Sequence, residues 1–169
     1  MSSLSGAYCR LVKRLKATPD GLMVLMARVG LGAFFVRAGQ TKVDGDFNLT
    51  DTTMYLFREE YKVPLLSPEA AAYMATAAEH VFGALLIIGL ATRLSALGLL
   101  GMTIIIQVFV YPASWPDHLL WAAALMFILA RGPGWLAADR GVCKLLGHTC
   151  SSQDSAQGAS QDTKTAAPT

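Results

Sequence analysis

The stretch Ala70–Leu94, AAAYMATAAEHVFGALLIIGLATRL, constrains this chain more than any other. It is apolar over a length that crosses a bilayer, for which about 20 residues suffice. Yet Glu79 and His80 stand near its middle. A carboxylate at that depth costs on the order of 2–3 kcal/mol on insertion scales, and more when it has no partner. Whatever fold the chain adopts must make Glu79 tolerable, and an ionisable residue so placed is a functional-site candidate by default.

The rest of the composition agrees with a membrane protein. Hydrophobic residues make up 53% of the chain and charged residues 15%, with mean hydropathy +0.42. Soluble domains carry nearer a quarter charged residues. The charges are segregated and leave several long apolar runs, which predicts an all-α fold: one four-helix transmembrane bundle. The net charge of +2 and the absence of a basic patch interleaved with aromatics exclude a nucleic-acid partner. The three cysteines Cys9, Cys143 and Cys150 lie outside the apolar runs and show no metal-ligand spacing, so no metal site is expected.

Along the chain, residues 1–19 form a basic segment with Arg10, Lys13, Arg14 and Lys16 and no acid before Asp20. Arg28 within the following run argues for a retained helix rather than a cleaved signal. The membrane domain is expected over residues 20–140. Its first span is Asp20–Gln40, with Asp20 as N-cap. Arg28, Gly32, Phe35, Gly39 and Lys42 recur at helical spacing and share one face. Gly32, Gly39 and Gly83 are the expected helix-packing positions, since small residues let membrane helices approach closely. Thr41–Glu69 is polar, and Thr50–Tyr61 within it reads as a short amphipathic helix lying on the outer membrane surface. The second span is the Glu79 stretch, with Glu79, Gly83, Leu86, Leu90 and Arg93 on one face. A tight turn at Ala91–Arg93 leads to a third span over Leu94–Tyr111, polar only at Gln107. A Pro-rich turn, YPASWPDH, precedes a fourth span over Leu119–Ala130. The Arg131–Gly134 break and a short amphipathic piece through Asp139 follow. Residues 141–169 read as a largely disordered cytoplasmic tail.

Lysine and arginine set the orientation. With the N-terminus inside, the inner side receives the four basic residues of the N-terminal segment together with Arg93, Arg131, Arg140, Lys144 and Lys164. The outer side holds Arg37, Lys42, Arg58 and Lys62, diluted by acids. Both termini are therefore expected in the cytoplasm.

Helical side chains lean toward their own N-terminus. Glu79 therefore leans outward and Arg28 inward, and the two do not converge. Arg37 and Lys42, near the outer end of the first span, meet Glu79 better. The expected site is a polar pocket open to the outer side, built from Glu79, His80, Arg37 or Lys42, and Gln107. A plain register-fixing ion pair is the competing reading of the same residues. His80 faces about 100° around the helix from Glu79, which favours a packing role. Three histidines at different depths disfavour haem. Arg93 reads as a cytoplasmic-side anchor with Asp139 as its mate.

Four blocks in order carry a resemblance to the DoxX family of small bacterial membrane proteins. They are ARVGLGAFFVRAGQTKV (Arg28, Gly32, Gly39, Lys42), AEHVFGALLIIGLATRLSALGLLGMT (Glu79, Gly83, Gly89, Arg93), VYPASWPDH, and ARGPGWLAAD (Gly132, Pro133, Gly134, Asp139). The resemblance implies a four-helix bundle in the bacterial plasma (inner) membrane and a loose link to redox chemistry. DoxD relatives are the small subunit of a thiosulfate:quinone oxidoreductase, and other members look like partners in oxidative-stress complexes. Arg37 stands where members often carry a small residue.

Three functions compete. The first is an accessory membrane subunit of a redox system, with Glu79 accepting a quinol proton; no haem, flavin or iron–sulfur motif is evident, so the redox centre would be a quinone or a partner protein. The second is a non-catalytic scaffold or assembly factor that docks a protein partner, or a second copy of the chain, through Thr50–Tyr61 and the Trp-rich turn at Tyr111–His118. A small-solute transporter stands third, because one four-helix unit lacks the usual inverted repeat.

Overall fold

The computed structural model describes residues 20–145 apart from Lys62 and Trp135. The basic N-terminal segment, the C-terminal tail, Cys9, Cys150 and His148 lie outside the described residues. The fold is all helical. Helix α1 spans Asp20–Gln40, α2 Asp51–Glu59, α3 Pro68–Ile88, α4 Thr92–Ile105, α5 Trp115–Arg131 and α6 Ala138–Leu145. The last turns of α4 continue as a π-helix over Ile106–Val110, and a 3₁₀ turn at Pro112–Ser114 joins it to α5. Among the described residues there is no strand, only an isolated bridge between Val43 and Leu49 in the loop after α1.

Four of these segments are long and apolar enough to cross a membrane: Asp20–Gln40, Pro68–Ile88, Thr92–Val110 and Pro112–Arg131. They close into a ring in which α1 packs on α3 and α5, and α4 packs on α3 and α5. The interior is filled by Leu31, Phe35, Leu86, Ala96, Leu99, Leu125 and Ile128. Large apolar side chains such as Met26, Leu94 and Leu120 face outward, as lipid-facing positions do.

Helix ends follow local chemistry. Ser67 caps α3, accepting from the Ala70 amide at 3.2 Å, with Pro68 as its first residue. Gly89, at φ 77°, ends that helix in the left-handed conformation that glycine adopts without a Cβ penalty. The second span therefore stops six residues short of the expected Leu94, and Arg93 belongs to α4. Thr50 caps α2. Helix α5 begins at Trp115 rather than at the expected Leu119, because Pro116 sits in its first turn, where a missing amide costs nothing. The short piece expected through Asp139 is α6, which extends to Leu145.

Helices α1 and α3 meet backbone to backbone. A Cβ on Gly32 would lie 2.7 Å from the Gly83 carbonyl oxygen, and one on Gly83 would lie 3.0 Å from that of Gly32. Further along, Gly39 faces Glu79, whose Cβ would be 3.2 Å from a Cβ there. Helix α1 ends one residue later. Glu79 itself lies about 16 Å into α3 at 1.5 Å per residue. The two helices are thus staggered, and the first half of α3 extends past the end of α1. Helix α2 covers that half instead, burying Phe57 against Ala71 and Ala72.

Candidate functional site

The stagger creates the site. Where α1 stops, the chain turns back through Thr41 and Lys42, and the Lys42 side chain reaches Glu79. Its ammonium donates to both carboxylate oxygens at 2.8 Å and to the Ala38 carbonyl at 3.2 Å. The glutamate side chain is 6% exposed and the lysine side chain 20%. Lys42 does two things at once: it neutralises Glu79, and it places a cation on the carbonyl end of α1, where the helix dipole favours one. A buried carboxylate with a fully engaged counter-ion is the arrangement low-dielectric surroundings require.

Beside this pair, under α2 and between α3 and α4, lies a cavity of about 410 Å³. Ala71, Met74, Ala75 and Ala78 form its α3 wall, and Gly98, Gly101, Met102 and Ile105 its α4 wall. Phe57 and Tyr61 roof it. The polar side chains on it are Lys42, Glu79, Tyr61 and Tyr111. The π-helix at Ile106–Val110 carries the chain into Tyr111, whose hydroxyl shares a hydrogen bond with that of Tyr61. Burial and this hydrogen bond hold the Tyr61 phenol well above its ordinary pKa.

The other expected pocket residues go elsewhere. Arg37 is exposed on α1 and does not reach Glu79; Lys42, past the helix end, is free to fold back where Arg37 is not. Gln107 donates to the Pro112 carbonyl at 2.9 Å and contacts His118 Nδ1 through its side-chain oxygen at 2.6 Å, so it locks the α4–α5 turn instead. His80 turns from the cavity. Its Nδ1 contacts the Thr76 carbonyl at 2.9 Å, and its ring fills the notch at Gly39, where a Cβ would come within 2.6 Å. Its Nε2 is buried without a partner among the described residues. At its α2 end the pocket is narrowed by Phe57 and the tyrosine pair, with Leu66 and Tyr111 exposed at its rim.

Arg28 lies at the opposite end of the bundle and is 1% exposed. Its guanidinium donates to the carbonyls of Leu86 (2.9 Å), Ile87 (3.0 Å), Pro133 (2.5 Å) and Leu136 (3.1 Å). It thus satisfies the carbonyl end of α3 and ties the loop after α5 to it. Next to it, Asp139 does not pair with Arg93. Its oxygens accept from the backbone amides of Ala91 (2.7 Å) and Thr92 (3.0 Å), which caps the start of α4. Arg93 is exposed and runs beside Gly132. An ion pair between Arg131 and Asp20 joins α5 to the start of α1. Arg28 and Asp139 are structural partners of helix ends, and the Gly132–Gly134 stretch exists to bring carbonyls to Arg28. Among the described residues, no group of three or more His, Cys, Asp or Glu is gathered where a metal could sit.

Four spans, an apolar cavity and an internal ion pair define a multi-pass membrane protein of the small four-helix class. The DoxX family model matches residues 23–112, more than half of the chain, and the chain belongs to the DoxX family. No curated protein and no solved structure gave a match.

Proposed function

We propose that this protein is an accessory membrane subunit of a quinone-linked redox system, with the cavity beside Lys42 and Glu79 as the quinone head-group site. The observation that carries this reading is the cavity itself: about 410 Å³, walled by alanine, glycine and methionine, with one ion pair and two phenols as its polar side chains. Such a donor set fits the group, because a ring with two oxygens needs apolar walls and a few convergent polar atoms. A bound quinone would supply two-electron, two-proton redox chemistry.

The residues of this chain have separate tasks in that reading. The Lys42 ammonium would turn one of its three donors, now on Glu79 and the Ala38 carbonyl, to a ring oxygen. The Glu79 carboxylate, in contact with Lys42, is the group that would accept a proton from a ring hydroxyl. Tyr61 and Tyr111 would narrow the access of water at the end toward α2. The electrons would be exchanged with a protein partner in the membrane. The same reading puts α2 and the cavity on the outer side of a bacterial plasma membrane and both termini in the cytoplasm. Arg93, Arg131 and Arg140 lie at the end away from α2, which supports that orientation.

A scaffold role is the second reading, favoured by three exposed apolar side chains near α2: Phe47 (76%), Tyr55 (61%) and Leu65 (102%). Crosslinking in native membranes separates the two. Quinone retained on purification, and lost in Glu79→Gln, supports the redox reading. A stoichiometric partner with no retained quinone supports the scaffold.

A further inference from the structure

We propose that the cavity beside Glu79 is loaded sideways from the bilayer, through the cleft between α3 and α4 at Gly101, by an amphiphile with an uncharged head. This rests on the reading of the cavity as a quinone site and names its route and the charge of its occupant.

The end of the cavity toward α2 is narrowed, although Leu66 and Tyr111, which also line it, are 41% and 45% exposed. Phe57 is 6% exposed, and the Tyr61 and Tyr111 hydroxyls bond to each other across the roof. The deep end is shut, since the Phe82 ring packs on Gly98 so closely that a Cβ there would lie 2.6 Å from it. The side is different. Met74 and Ile105 both border the cavity and are 60% and 44% exposed on the outer surface of the bundle. Both lie within membrane-spanning segments. Between them Gly101 is exposed, and a Cβ there would meet nothing within 4 Å. This gap in the wall, flanked by residues of two membrane-spanning segments, faces lipid chains. The cavity is also elongated: from Gly98 to Val110 it follows α4 and the π-helix after it for about 18 Å. That shape accepts a head group with the first part of a tail, the remainder leaving through the cleft.

The head group is uncharged because the site is already balanced. Lys42 engages both oxygens of Glu79, so the pair presents no net charge. An anionic head would face Glu79 and a cationic one Lys42, in surroundings where an unbalanced charge is costly. A neutral head with an acceptor for Lys42 and a donor for Glu79 costs neither.

The test uses the full chain in nanodiscs, with Cys9, Cys143 and Cys150 replaced by serine and a spin label on Gly101→Cys. Ile105→Cys serves as a second label site, and circular dichroism confirms the helical fold of each. Power saturation should show strong relaxation by oxygen, which concentrates in lipid, and little by a water-soluble nickel chelate. Decylubiquinone should then slow the label and lower its access to oxygen, while decyl phosphate of equal tail should not. Relaxation by the nickel chelate as strong as by oxygen overturns sideways loading and leaves the quinone reading standing. A label slowed equally by decyl phosphate overturns the uncharged head. A label reached only by oxygen but unmoved by decylubiquinone supports the lipid-facing cleft and sinks the quinone reading alone.

Discussion

Replacing Lys42 by methionine and Glu79 by glutamine, singly and together, asks what makes a carboxylate acceptable at this depth. Removing one partner of a buried ion pair typically costs about 3–5 kcal/mol, because the other charge is left behind. Here two features lower that figure. The Lys42 side chain is 20% exposed and keeps the Ala38 carbonyl, so Glu79→Gln should cost about 2 kcal/mol, near the value of a hydrogen bond to a charged group. Lys42→Met strands the 6% exposed carboxylate and should cost more, about 3 kcal/mol. The double variant leaves no stranded charge and should be little worse than the milder single one. The coupling energy then comes to about 2 kcal/mol or more, at the upper side of values for residues in direct contact. Unfolding by increasing sodium dodecyl sulfate in mixed micelles, followed by circular dichroism, measures all four corners. Additive costs, with a coupling below about 0.5 kcal/mol, would refute the claim that Lys42 is what stabilises Glu79 in the bundle.

Arg28→Lys keeps the charge but loses the planar fork that reaches four carbonyls on two segments; a loss of about 3 kcal/mol in the same unfolding assay is expected, and a near-neutral effect would contradict the capping role. Asp139→Asn still accepts one backbone hydrogen bond, so it should cost about 1 kcal/mol, whereas Arg93→Gln should leave stability unchanged within error. Tyr61 has a folded-state pKa raised by burial and by Tyr111. Its neutral form therefore favours the fold, fully so below the unfolded value of roughly 10, and this contribution is lost as pH rises beyond it. Alkaline titration of tyrosinate absorbance should show one late phenol that disappears in Tyr61→Phe, and the variant's stability should fall less steeply above that pH.

Much of the architecture is written in the spacing of apolar residues. Runs of spanning length separated by Pro, Gly and charge leave few alternatives to a four-helix bundle, and the leaning of helical side chains is enough to separate Arg28 from Glu79. The partner of Glu79 is legible only to within two cations. Choosing Lys42 over Arg37 depends on where α1 ends, and helix ends are set by a few local bonds. Gly89 carries a readable C-cap signal, yet the apolar run continues through Leu90 and hides it. What Arg28 binds is not readable at all, since two of its four carbonyl partners come from Pro133 and Leu136, more than a hundred residues away. Gln107 stands alone in an apolar run and so resembles a pocket residue, but it is used by its own turn through Pro112 and His118. The cavity is the least legible feature, because it arises from a stagger between two helices rather than from any motif.

The central claim is that the cavity beside Lys42 and Glu79 holds an uncharged quinone head. Calorimetric titration of decylubiquinone into the full chain in nanodiscs tests it most directly. The account predicts saturable binding with one site per chain, weakened about tenfold or more, equivalent to about 1.4 kcal/mol, in both Glu79→Gln and Lys42→Met. Absent binding, or one affinity shared by the native chain and both variants, would contradict it.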